Sequence, residues 1–156
     1  MSRKKSKFAL PVVENKISEE NAKKQVMLLL IRYNIDIEEK EGKEKKATEE
    51  TVQRLLKDIM AGRIEIFEEE GKVKVKQFIQ NRSAKAGKEG NRTELLFDQM
   101  TAADHEAMPE GDDVSNYTKM FDLMASMCET NMGDVIIRKL GGSDAKVLEN
   151  VAVLFL

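Results

Sequence analysis

The chain of 156 residues contains one cysteine (Cys128), one histidine (His105), two prolines and no tryptophan. A lone cysteine excludes an internal disulfide framework and fits a reducing compartment. One Cys and one His are too few for a zinc site built on several such ligands. Cys128 lies within an apolar helical stripe, whereas a reactive thiolate needs an electropositive, partly exposed setting. His105 reads as a surface residue in the first turn of a short helix. The longest apolar run, Val26 to Ile31, is far below the roughly 18 residues of a membrane span. The basic start (Arg3, Lys4, Lys5, Lys7) is followed only by Phe8 to Val13, broken at Pro11, which is too short for a signal peptide. Gly141 and Gly142 are adjacent, but no lysine and hydroxyl pair follows at phosphate-loop spacing. These shortages lead to an expectation of no catalytic centre, no metal and no cofactor.

Charge is abundant. Residues of Asp, Glu, Lys and Arg make up 35% of the chain, against 41% hydrophobic, which still allows a modest core. The signs are unevenly placed. Residues 1–92 carry 22 basic and 16 acidic side chains, a net of +6, and residues 93–156 carry 4 and 12, a net of −8. Nucleic-acid binding is disfavoured, because acidic residues interleave with the basic ones and no aromatic stacking residues accompany them. Opposite charges would also attract successive copies head to tail, so self-association belongs among the expectations.

The chain divides into a basic arm (1–17), a helical segment (18–62), antiparallel strands (63–100) and a C-terminal helical bundle (101–156). Ser18 caps the first helix, with Glu19 and Glu20 in its first turn. Ala22, Val26, Leu29, Leu30 and Tyr33 share a face. Met27, Leu28 and Ile31 broaden that face, so the helix is expected to be well buried, with Asn34 as its stop. Ile35 and Ile37 alternate with Asp36 as a short strand would, and Glu38 to Ala47 reads as a charged loop. Thr48 is the expected cap of a second helix, with Val52, Leu55, Leu56, Ile59 and Met60 at helical spacing and Gly62 at its end. A hairpin follows: Ile64 and Ile66, a turn at Glu69 to Gly71, then Val73 and Val75. Asn81 to Asn91 reads as a flexible loop, and Thr93 to Phe97 as a third strand. Strands grouped between runs of helices predict an α+β fold, with a small antiparallel sheet packed on helices and a C-terminal helical bundle.

In the last third, Thr101 to Asp104 has the form of a capping box with Asp in the Glu position. A helix is expected from Val114 to Glu129, with Val114, Tyr117, Phe121, Met124 and Cys128 on one face and Met120 and Met127 beside it. A short helix over Val135 to Leu140 and a last helix opened by Ser143 and Asp144 complete the chain. Six of nine methionines lie between Met100 and Met132. Methionine is flexible, and methionine-rich surfaces bind varied apolar partners. The same spacing also serves core filling. The candidate partner surface is therefore Met120, Met124, Met127 and Phe121, with Met100 and Met108 at its edge.

Three stretches carry a family resemblance: TELLFDQMTAAD (Thr93 to Asp104), EGDDVSNYTKMFDLMASM (Glu110 to Met127) and VIIRKLGGSDAKVLENVAVLFL (Val135 to Leu156). Their alternating strand, T-x-x-D helix start, helix after a Gly-Asp turn, short helix and capped C-terminal helix resemble the tail assembly chaperones of tailed bacteriophages and prophages. The resemblance implies a non-enzymatic helper in the cytoplasm of a bacterial host. Such a helper binds the tape-measure protein and assists polymerisation of tail-tube subunits around it. Two other classes fit the composition: a small structural component of a phage tail, baseplate or capsid, and a small nucleic-acid-binding regulator using Arg3 to Lys7 and Arg82 to Arg92.

Overall fold

A computed structural model describes residues 16–79 and 94–156. The basic arm up to Asn15 and the Asn81 to Asn91 stretch lie outside the described residues. Two helices come first, α1 (Glu19–Arg32) and α2 (Gly42–Met60). Three strands follow: β1 (Ile64–Glu69), β2 (Lys72–Phe78) and β3 (Glu94–Phe97). Four helices complete the chain, α3 (Ala102–Glu106), α4 (Asn116–Met127), α5 (Gly133–Arg138) and α6 (Gly142–Ala152), with a 3-10 turn at Val153–Phe155. The fold is α+β, as the grouping of elements in sequence predicts.

Local chemistry explains most of the boundaries. Ser18 accepts the Asn21 amide at the start of α1. Both early helices end in Schellman motifs. Asn34 sits at φ +51° while the Ile35 amide reaches Leu30 O, and Gly62 sits at φ +75° while the Arg63 amide reaches Asp58 O. This geometry turns Ile35 and Ile37 inward as half-buried loop residues, so the short strand expected there does not form. α2 starts earlier than expected. Thr48 is no cap; its hydroxyl donates to Glu44 O inside the helix. Lys and Glu in residues 43–50 are good helix formers, and they extend the helix to Gly42.

The sheet has the order β1-β2-β3, antiparallel throughout. Glu70 and Gly71 both take positive φ in the two-residue hairpin turn. The register places Ile66 opposite Val75 and Val75 opposite Phe97, so one face is apolar and buried. Glu and Lys stand opposite each other in the register (Glu65 with Lys76, Glu69 with Lys72). The lysines nevertheless bond elsewhere: Lys72 pairs with Asp98, Lys74 pairs with Glu129, and Lys76 lies 5.4 Å from the Phe67 ring centre.

Both sheet edges are engaged. Along β3, the Asp98 amide donates to Met127 O, the Glu129 amide to Leu96 O, and the Leu96 amide to Thr130 Oγ1. Along β1, the Ile66 amide donates to Gln25 Oε1 of α1 at 2.8 Å. These bonds occupy edge groups that would otherwise pair with another strand. Buried residues of α1, α2, the sheet, α4, α5 and α6 form one continuous apolar cluster. Asp58, buried on α2, accepts from Arg63 and from Asn150 of α6, tying α2 to α6.

Candidate partner-binding surfaces

The expected methionine surface is not exposed. Met120, Met124 and Met127 are buried, with Met124 at 0% exposure. Phe121, Met100 and Met108 are half-buried and packed against the core. The reason is the number of neighbours. α4 touches α3, α5 and α6, and its C-terminal residues continue along the edge of β3. The buried stripe is Met120, Leu123, Met124 and Met127, rotated from the expected face, so Tyr117 points to solvent. Leu123 belongs to this stripe although the sequence pattern did not single it out.

The ends of α4 are built accordingly. Ser115 caps it by accepting the Thr118 amide. Cys128 leaves the helix in an extended conformation and pairs with Phe97. Its thiol is half-buried, and burial pushes its pKa up. A side chain at Gly133 would collide with Cys128 Sγ, which makes glycine the residue this junction requires. α3 carries the expected capping box: the Thr101 amide donates to Asp104 Oδ2 at 2.8 Å and the Asp104 amide donates back to Thr101 Oγ1. Ser126 of α4 donates to the other Asp104 oxygen at 2.6 Å, so α3 is tied down over α4. His105 is exposed. Among the described residues, no three His, Cys, Asp or Glu side chains stand together as a metal site. No helix among them is long and apolar enough to cross a membrane.

Large apolar side chains are exposed elsewhere. On α1, expected to be well buried, Met27 is 50% and Ile31 72% exposed. They and Leu28 line a shallow groove of about 570 Å³ edged by Lys23, Lys24 and Glu20. α1 packs against α2 and the β1–β2 hairpin on one side only, so a helix with a broad apolar face leaves part of it open.

A second and larger concavity, about 840 Å³, lies between the α1–α2 connection, the first half of α2 and the chain's last residues. Its apolar wall includes Ile35, Met100, Val153 and Leu156, of which Val153 is 41% and Leu156 54% exposed. Tyr33 anchors this wall. Its ring meets Phe155 edge-on at 4.7 Å, and its hydroxyl accepts the Met100 amide at 2.9 Å. Burial pushes the Tyr33 pKa above the usual phenol value. The opposite rim carries Asp36, Glu39, Glu41 and the Lys40–Glu44 ion pair.

No protein-family model, curated protein or solved structure matches this chain.

Proposed function

We propose that this chain is a non-enzymatic assembly chaperone of the phage tail kind, holding the apolar helices of the tape-measure protein until tail-tube subunits assemble around it. The observation that carries the reading is the pair of concave surfaces where large apolar side chains stay open to solvent beside charged rims. An apolar surface of this sort suits amphipathic helices, and monomers seldom keep one without a use. The stretches that resemble the chaperone family support the same reading through their caps and apolar spacing. The binding surface is moved, however, from the α4 methionines to α1 and the larger cleft, because a side chain sealed in the core offers a partner nothing.

Co-expression with a phage tape-measure protein from the same genome tests the proposal. The expected result is a soluble complex of the two, with the tape-measure protein pelleting when expressed alone. The reading fails if the tape-measure protein stays insoluble in the presence of this chain. It also fails if the chain is a fixed-copy component of finished particles, which would make it a structural tail or capsid protein.

A further inference from the structure

We propose that the 840 Å³ cleft is the docking site for a cationic amphipathic helix of a partner protein, apolar on one face and flanked by Lys or Arg. This rests on the protein-binding reading above and adds the surface and the chemistry of the occupant. Five ionised side chains line the cleft: Asp36, Glu39, Glu41, Glu44 and Lys40. Lys40 is neutralised within the rim by Glu44, at 3.0 Å. Asp36 uses one oxygen to accept the Glu38 amide. Glu39 and Glu41 have no cation within ion-pair distance among the described residues, and Glu41, at the N-cap of α2, makes no side-chain capping bond. Among the described residues, the rim therefore presents three carboxylates with no compensating cation of their own.

These carboxylates face an apolar wall, not open water alone. Val153 and Leu156 stand exposed there, above Phe155, which is buried. An acidic ligand would be repelled by the rim, and a purely polar cation would leave the wall wet. A segment that buries apolar anchors on Val153 and Leu156 and sets its basic flanks against Glu39 and Glu41 satisfies both. The volume falls within the range of about 300–1,000 Å³ typical of binding clefts, which admits anchor side chains rather than a whole helix. Rim charges set orientation and encounter rate, and the apolar anchors supply most of the affinity. The wall is preorganised: Tyr33 fixes both Phe155 and the Met100 backbone, so little ordering is needed on binding.

The test uses the full chain and a fluorescein-labelled synthetic helix with leucine on one face and lysine on its flanks. Its control replaces lysine by glutamate. The lysine peptide should bind, more weakly as salt is raised, and the glutamate peptide should not. The double variant Glu39→Lys/Glu41→Lys and the single variant Val153→Asp should each weaken binding about tenfold or more, roughly 1.4 kcal/mol. All three positions are exposed, so the thermal midpoint should hold and report that the fold is intact. Amide shifts should move at Thr48, Met100 and Val153. The assignment is overturned if the shifts fall on Met27 and Ile31 of α1, if both peptides bind alike, or if the charge reversal changes nothing. It is also overturned if the unliganded chain self-associates in sedimentation and Glu39→Lys/Glu41→Lys abolishes this, since a second copy would then fill the cleft. Failure here is separable from failure of the chaperone reading. A tape-measure protein held equally by wild type and Glu39→Lys/Glu41→Lys would keep that reading and remove the cleft, whereas a peptide seated in the cleft with no tape-measure complex would do the reverse.

Discussion

α1 and α4 have similarly broad apolar faces in sequence and opposite fates in the fold. α1 leaves Met27 and Ile31 in solvent, whereas α4 seals Met120, Met124 and Met127 in the core. The difference lies in what surrounds each helix. α4 is enclosed by α3, α5, α6 and the edge of β3, and α1 has neighbours on one side only. The width of an apolar stripe counts the side chains that could be buried. It does not count the elements available to bury them.

The sharpest way to break this contrast is substitution to aspartate. Met124→Asp places a charge where no solvent reaches and should leave the chain unfolded, since such burial costs on the order of 4 kcal/mol or more. Met27→Asp and Ile31→Asp should each change stability by less than about 0.5 kcal/mol. Denaturant midpoints decide it; a folded Met124→Asp protein would mean that α4 is open. Next in size is the α4–α5 junction. Gly133→Ala should cost roughly 1–3 kcal/mol through collision with Cys128 Sγ, and Cys128→Ala in the same chain should recover part of that loss. An unaltered melting temperature for Gly133→Ala would show that the junction is looser than described. Smaller again, Thr101→Ala removes the cap at the start of α3 and should cost about 1 kcal/mol, visible as faster exchange of the Asp104 amide.

The smallest expected effect is on pH dependence. Partial burial opposes ionisation of Asp98, but the Gln99 amide, Lys72 and Lys74 outweigh it and hold the carboxyl below its usual range. A depressed carboxyl stabilises the fold above its unfolded pKa, about 3.9, and the contribution disappears as pH falls through the folded value. Asp98→Asn should therefore flatten the acid limb of the stability profile below about pH 4 and leave the alkaline limb alone. Tyr33 acts in the other direction. Its raised pKa gives a contribution that is complete below about pH 10 and lost as pH rises through the folded value. An acid limb unchanged by Asp98→Asn would mean that the Lys72 contact carries no weight.

Local signals were readable in the sequence where one residue decides one bond. Asn34 and Gly62 as helix stops, the Thr101–Asp104 box, the Ser18 cap and the alternation at Ile64, Ile66, Val73 and Val75 all appear as residue patterns, because each is satisfied within a few residues. The larger cleft was not readable. Ile35, Met100 and Val153 are far apart in sequence and line one concavity only in the folded chain, where Tyr33 touches both Phe155 and the Met100 amide. The rotation of the α4 stripe toward Leu123 was hidden for a related reason. Tyr117 and Leu123 are both apolar enough to face inward, and only the placement of α5 and α6 chooses between them. Thr48 misled because a hydroxyl that resembles a cap bonds equally well to the carbonyl four residues back.

The central claim, that the α4 methionines are sealed and the α1 methionine is open, is tested most directly by timed peroxide oxidation of the native chain with residue-level mass spectrometry. Oxidation to the sulfoxide follows exposure of the sulfur. Met27 and Met132 should be oxidised early, and Met120, Met124 and Met127 should be protected until denaturant is added, when all five converge. Oxidation of Met120, Met124 and Met127 in the native protein at the rate of Met27 would contradict the account and return the partner surface to α4.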